Sequence, residues 1–151
     1  MQDLHIHMAA GGQDTPEVFK QKTIAGGVSG GAVFSIVPES YRVEPGVDQR
    51  WQARAEQIME FCSRAPGFRP VFFIDPTVSD AIEQVHAIAE MGIAGFKVIC
   101  NHFYPVEGLK TYQAIAETGL PLIFHSGVLY NKQPSSDYNR PMSYEFLMDV
   151  K

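Results

Sequence analysis

Five short strand-like runs recur along the chain, and each is followed by a segment whose apolar residues have helical spacing. The runs lie at residues 3–8, 32–37, 70–74, 93–99 and 121–125. Their length and apolar content are typical of buried strands, whereas the intervening segments suit amphipathic helices. Strands that alternate with helices across short turns predict right-handed βαβ units and a parallel sheet, which is the α/β fold class.

Helix starts can be predicted from capping residues. Thr15 before Pro16, Asp48 and Ser79 are the expected N-caps of three helices, because short polar side chains accept the unpaired backbone N–H groups of a first helical turn. In the helix after Ser79, we expect Ile82 to face the core.

Composition limits the classes of function. The 151 residues are 45% hydrophobic, enough for one core, and 12 basic residues against 17 acidic ones give a net charge of −5. That balance argues against nucleic acid and membrane surfaces as partners. No signal peptide or membrane-spanning run is evident, so we expect a cytoplasmic protein. Cys62 and Cys100 form no C-x-x-C motif, which predicts thiols without a disulfide or a thiolate metal site.

Three histidines lie where predicted strands end. His5 and His7 are two positions apart on the first strand, so their side chains share one face. His125 closes the fifth strand. Ligands of parallel sheets bind beyond the carboxyl ends of the strands, and neutral imidazole is a common zinc ligand. One interpretation is a shared divalent metal; the other is a polar strand face that contacts water or backbone.

Three further polar residues lie at the same predicted edge. Lys97 is near the end of the fourth strand, and His102 is in the loop that follows it. Either could contact a substrate or support the metal ligands. A paired structural lysine and a solvated loop histidine are the alternatives. Asp75, followed by Pro76, is expected first to form a turn at the end of the third strand and second to take part in the chemistry of this edge.

Three segments carry a family resemblance. They are Asp3-Leu4-His5-Ile6-His7, Gly95-Phe96-Lys97-Val98, and the stretch 119–127 with sequence GLPLIFHSG. Together they closely resemble the amidohydrolase-related family, metal-dependent (β/α)8-barrel hydrolases that include decarboxylases. The resemblance implies one divalent ion, typically Zn²⁺, held by His5, His7 and His125. It also implies a catalytic aspartate at the end of strand eight, and in two-metal relatives a carboxylated lysine at the position of Lys97.

The resemblance covers five of eight barrel units. A closed (β/α)8 barrel takes roughly 250 residues, so residues 1–151 resemble the N-terminal portion of such a domain, an incomplete barrel of the TIM type. Strands six to eight and their aspartate are expected after Lys151. Asp137 and Asp149 do not replace that aspartate because neither follows a predicted strand. Whether the 151-residue chain is active by itself is left open.

The expected function is that of a metal-dependent hydrolase. A metal-activated water would attack a small carbonyl substrate such as a lactone, an amide or a related carboxylated compound. A decarboxylase of the same family is one alternative. Another is a non-catalytic half-barrel whose open sheet edge is covered by a partner or a second copy, and we expect a homo-oligomer. A metal-binding regulatory module and a barrel phosphoesterase are further alternatives; the latter needs additional early histidines, and residues 9–50 contain none.

Overall fold

The structure is a computed structural model that describes residues 1–9, 14–125 and 141–149. Within these ranges, strands alternate with α-helices: β1 (Gln2–His7), α1 (Pro16–Ala25), β2 (Gly30–Phe34), α2 (Trp51–Arg64), β3 (Phe68–Phe73), α3 (Ala81–Glu90), β4 (Phe96–Val98), α4 (Leu109–Glu117) and β5 (Leu122–Phe124). Short 3₁₀ segments cover Pro105–Gly108 and Pro141–Asp149.

The strands form one parallel sheet in chain order, β1-β2-β3-β4-β5. His7 lies opposite Phe34, Phe73 opposite Lys97, and Lys97 opposite Ile123. The sheet curls into a half-barrel with the carboxyl ends of all strands at one edge. The α/β class and the parallel sheet are therefore confirmed, whereas closure into an eight-stranded barrel stays a prediction.

The larger core fills the space between the sheet and the helices. On α2 the buried side chains include Ala55, Ile58 and Phe61, which recur at helical spacing. They belong to the same cluster as Phe72 and Val98 of the sheet. Burial of each large apolar side chain contributes roughly 1.5–3 kcal/mol, so this layer holds the strands in place and fixes their carboxyl-end edge.

The concave face of the sheet carries a second, smaller cluster. Ala32, Phe34 and Val71 are buried there, and Ile123 packs against them. Toward the amino ends of the strands this face opens into a cavity of about 500 Å³ whose lining includes Leu4, Ala32, Val71 and Ile123. We call these four residues the amino-end groove. Leu4 keeps 67% of its surface exposed. Gln2 and Arg69 also line the cavity, so this end of the half-barrel is open and mainly, but not wholly, apolar.

Two of the local predictions for α3 were wrong. The helix begins at Ala81, and its N-cap is Asp80, without the side-chain cap expected of Ser79. Ile82 is exposed. The buried residues of α3 are Ala81, Gln84, Val85 and Ile88. They form one stripe along the helix, and Ile82 lies outside this stripe and faces solvent.

The predicted N-cap of α1, Thr15, is confirmed. The N-cap of α2 is Arg50 and not the predicted Asp48. Thr15 caps α1, where its hydroxyl accepts the Val18 N–H at 3.4 Å. Before α2 the N-cap is Arg50, and Asp48 accepts the Arg50 backbone N–H at 3.1 Å. The expected capping carboxylate therefore acts in the turn before the helix.

The expectations about disulfides and about membrane-spanning segments can be compared with the described residues. Cys62 and Cys100 are both buried, and no disulfide joins them. Across residues 1–9, 14–125 and 141–149, no helix is long and apolar enough to cross a membrane.

Candidate functional site at the carboxyl ends of the strands

β1 brings His5 and His7 side by side. Their ring centroids are 4.9 Å apart, and both rings meet the Phe34 ring edge-on, at 5.1 and 5.0 Å between centroids. The pairing of β1 with β2 shifts register between Asp3 and Ile6. Gly31 permits the close approach of the two strands, because a Cβ atom there would collide with the Asp3 carbonyl oxygen. The predicted histidine pair is thus on one face, over the buried Phe34 ring.

Lys97 reaches the same aromatic ring from the other side of the concave face. Its Nζ atom lies 5.2 Å from the Phe34 ring centroid, although two sheet positions separate β2 from β4. The curl of the sheet makes this approach possible. Lys97 is only 1% exposed, and its amine has no hydrogen bond or ion pair within the described residues.

His125 follows β5 directly. Its backbone N–H donates to the Val98 carbonyl at 2.9 Å, and its own carbonyl accepts the Tyr144 hydroxyl at 3.0 Å. These bonds extend the sheet by one residue and fix the backbone of His125. The Nε2 atom of its ring is buried and has no hydrogen-bond partner in the part of the chain that the structure describes. An orphaned imidazole nitrogen in a native site calls for a ligand or an ordered water.

Electrostatics join these side chains into one cluster, which we call the histidine rim: His5, His7, Lys97 and His125. His5 and His7 are exposed at the edge of the sheet, but the atoms packed around His7 partly desolvate its ring. This desolvation is the main cause that lowers the pKa of His7 to about 4, and the nearby His5, Lys97 and His125 lower it further. The pKa values of His5 and His125 are lowered by desolvation and then by Lys97. At neutral pH the three imidazoles are therefore uncharged, which is the form that binds metal.

The donor chemistry of the histidine rim fits a divalent metal. Three neutral imidazoles are a common ligand set of a zinc-type ion, and one of the three, His125, has a buried nitrogen without a hydrogen bond among the described residues. However, within the described ranges no group of three or more His, Cys, Asp or Glu side chains is already close enough to hold a metal ion. The paired histidines of β1 are in place, and convergence of His125 with them stays a prediction.

A second polar pair lies beside the rim. Asp75 is buried after β3, and its Oδ1 accepts both the backbone N–H and the hydroxyl of Thr77 at 2.9 and 2.7 Å. Its Oδ2 lies 3.2 Å from His102 Nε2, but it is among the buried atoms without an aligned hydrogen bond. At this short distance the two side chains form an ion pair when the imidazole is protonated, even without an aligned hydrogen bond. His102 is accordingly not a simple solvated loop residue.

Aromatic rings connect this pair to the histidine rim. The Tyr41 ring lies 5.4 Å from the His102 ring and 5.1 Å from the Phe73 ring, and Phe73 is opposite Lys97 in the sheet. The Tyr41 hydroxyl also accepts the Ile99 N–H at 3.3 Å. His102 and Lys97 are therefore at the same edge of the half-barrel, on either side of an aromatic layer.

Sequence reasoning missed three contributors, Phe34, Tyr41 and Arg54. Phe34 and Tyr41 were not recognised as the rings that the polar groups contact, whereas Asp75 was expected to form a turn first and to take part in rim chemistry second. Arg54 was also missed; its buried guanidinium donates to the carbonyls of Ile36 and Phe73 at 3.1 and 2.7 Å and ties the ends of β2 and β3 together. The succession of Asp75 and His102 after neighbouring strands was the one available signal.

Comparison with known proteins identifies no family. No protein-family model matches the chain, and no curated protein is significantly similar to it. The assignment of a function therefore depends on the geometry and chemistry of the histidine rim, together with the motif resemblance.

Proposed function

We propose that the histidine rim is the metal-binding half of a hydrolase that acts on a small carbonyl substrate. The observation that carries this proposal is the buried, orphaned Nε2 of His125 at the same sheet edge as the adjacent His5 and His7. Metal binding would supply that nitrogen with a partner. The lowered pKa values of all three rings keep them available as ligands at neutral pH.

In this proposal His5, His7 and His125 hold one divalent ion, for which Zn²⁺ is the first candidate. When bound, such an ion lowers the pKa of a coordinated water toward neutrality and polarises a carbonyl group. Phe34 holds the two β1 rings from below. A ligand set supported on strands keeps its geometry better than one placed on loops.

Lys97 and His102 are the proposed substrate contacts. A carboxylated substrate would find a cationic neighbour in Lys97, whose amine has no acidic partner among the described residues. His102, held near the buried Asp75 carboxylate, could donate or accept a hydrogen bond at the mouth of the site. The base expected from the family resemblance, an aspartate at the end of strand eight, stays an expectation. Decarboxylation is the alternative reaction for the same ligand set, and the cytoplasmic location also remains a proposal.

Metal titration tests this proposal. Untagged apo-protein is titrated with Zn²⁺ by calorimetry, and the bound metal is then counted by elemental analysis. We expect one ion per chain, with binding more than about 100-fold weaker in His125→Ala, since the loss of an outer-shell partner alone costs about 10- to 100-fold.

His86→Ala is the matched control. His86 is exposed on α3, far along the chain from every strand end, so this variant should bind as the wild type does. Equal affinity in all three proteins, or no binding at all, would reject the proposed metal site.

A second candidate role is self-association through the open half-barrel. It is favoured by the exposed Leu4 on the edge strand β1 and by the apolar cavity that Leu4 lines. Exposed apolar patches and unpaired strand edges are typical association surfaces. The proposed occupant is a second copy of the chain, and sedimentation velocity over a concentration series tests it. A monomer at every concentration would reject this role.

A further inference from the structure

We propose that Lys97 is a nucleophile that forms an imine with a small oxo-carboxylate. This is a further activity of the histidine rim. It needs no bound metal, so it can succeed or fail independently of the proposed hydrolase.

The first argument is the absence of a structural partner. Lys97 is among the largest fully buried side chains of the protein, and a buried ammonium normally needs an acidic partner. Among the described residues its amine contacts the face of the Phe34 ring and forms no hydrogen bond or ion pair. Nothing observed in the fold explains why a lysine, and not an apolar residue, occupies this position.

The second argument is the surroundings of the amine. Desolvation lowers the pKa of Lys97 to about 8, so a sizeable share of the side chain is neutral amine near physiological pH. Desolvated lysines of this kind are the usual imine-forming nucleophiles. The amine also sits at the carboxyl-end edge of a parallel sheet, where substrates of such folds bind.

The third argument concerns the class of carbonyl compound. The groups that act electrostatically on one another at the rim are Lys97 and the three imidazoles, and Asp3 is the acidic residue that acts on His5. The Asp3 carboxylate already accepts the His5 backbone N–H at 2.9 Å. The protonated share of Lys97 and the N–H groups of the neutral imidazoles can hold a carboxylate beside the amine, which is why we choose an oxo-carboxylate over a neutral aldehyde.

The chemical step balances without an oxidant. The Nζ lone pair attacks the carbonyl carbon, and the C–O π electrons move to oxygen, which takes a proton to give a carbinolamine. Loss of the nitrogen proton and of the hydroxyl group as water leaves a C=N bond. Solvent can carry these protons between nitrogen and oxygen. Imine formation is the first step of amine-catalysed decarboxylation of 3-oxo acids, a reaction that uses the imine as an electron acceptor.

Reductive trapping tests the proposal. Metal-free protein is incubated with glyoxylate and sodium cyanoborohydride at pH 7.5, and peptides are mapped by mass spectrometry. The reductant delivers hydride to the imine carbon, which leaves N-carboxymethyl-lysine at each reacting site. We expect Lys97 to be labelled at least about tenfold faster than the exposed Lys110, because only a neutral amine forms an imine and desolvation lowers the pKa of Lys97 to about 8.

Three controls make the result decisive. Label at position 97 should be lost in Lys97→Met and in Lys97→Arg, which keeps the charge but cannot form an imine; Lys110 should still react in both. Propionaldehyde, which has no carboxylate, should label Lys97 at least about tenfold more slowly than glyoxylate.

The opposite results overturn the proposal. Labelling of Lys97 no faster than that of Lys110 would reject the nucleophile, and this comparison is made within the wild-type protein, whatever the folding of the variants. Equal rates with propionaldehyde and glyoxylate would reject the oxo-carboxylate class.

Discussion

The two ends of the concave face have the same backbone and opposite chemistry. At the carboxyl ends, the histidine rim collects three imidazoles and a buried amine over Phe34. At the amino ends, the groove is lined by Leu4, Ala32, Val71 and Ile123. Hydrophobic packing explains the groove. At the rim, by contrast, the buried Lys97 and the buried Nε2 of His125 are costly unless they gain a partner. This difference supports the proposals that the rim binds a ligand and that the groove is a self-association surface.

The largest expected effect is that of Phe34→Ala. Phe34 is fully buried and supports three of the four rim side chains. Truncation of a core phenylalanine costs about 3–5 kcal/mol, and here it should also release the β1 histidines. Urea denaturation measures the loss, to be compared with Val71→Ala in the groove, which removes fewer atoms. An equal loss in both variants would contradict the supporting role of Phe34.

Lys97→Met should show how far the buried amine of Lys97 lowers the free energy of unfolding. In the folded protein the pKa of Lys97 falls from 10.5 to about 8, so between these pH values the unfolded chain binds more protons. Wild-type stability should therefore gain from this group as pH rises from about 8 to 10.5, by up to about 3 kcal/mol. The variant should lack that gain and be the more stable protein at pH 7.

The measurement for Lys97 is the difference in unfolding free energy between the two proteins across this pH range. Taking the difference cancels the titration of other groups, such as the buried tyrosines. A constant difference would mean that the amine is paired in the folded protein.

His7→Gln should change the acid side of the stability profile. The pKa of His7 is lowered to about 4 in the folded protein, against 6.5 in the unfolded chain. Its contribution is complete above pH 6.5 and is lost as pH falls toward 4. We expect the wild type to lose more stability than His7→Gln between pH 7 and 5, as monitored by urea midpoints. His86→Gln, at an exposed helical position, should keep the wild-type profile.

Leu4→Glu should have the smallest effect on folding and a selective effect on association. Leu4 is mostly exposed, so unfolding should change by less than about 0.5 kcal/mol. If copies of the chain associate through the amino-end groove, the charged variant should sediment as a smaller species, with zinc binding at the rim unchanged. A loss of zinc binding would show that the two ends of the concave face are coupled.

The sequence predicted the strand–helix succession well, because each element has its own periodic pattern. It also placed His5, His7 and His125 at one sheet edge, since all strands of a parallel sheet end on the same side. Strand limits were less certain: the run 93–99 became the three-residue strand β4. Hydrogen bonding to neighbouring strands, which sequence patterns do not show, sets those limits.

Contacts between side chains could not be predicted from the sequence. That Phe34 supports both histidines and faces Lys97 depends on the curl of the sheet, which no local pattern reports. The approach of His102 to Asp75 depends on a loop conformation. Ile82 shows the same limit on a helix: one apolar position among several can face either way until the buried stripe is fixed by tertiary packing.

The most direct measurement of the central claim is the X-ray absorption spectrum of the zinc-loaded protein. It counts the ligands of the ion and distinguishes imidazole nitrogen from sulfur. The account predicts three histidine ligands at about 2.0–2.1 Å, with one fewer in His125→Ala and no change in His86→Ala. A spectrum with two or fewer imidazoles, or one that is the same with and without His125, would contradict the convergence of His5, His7 and His125 on one metal.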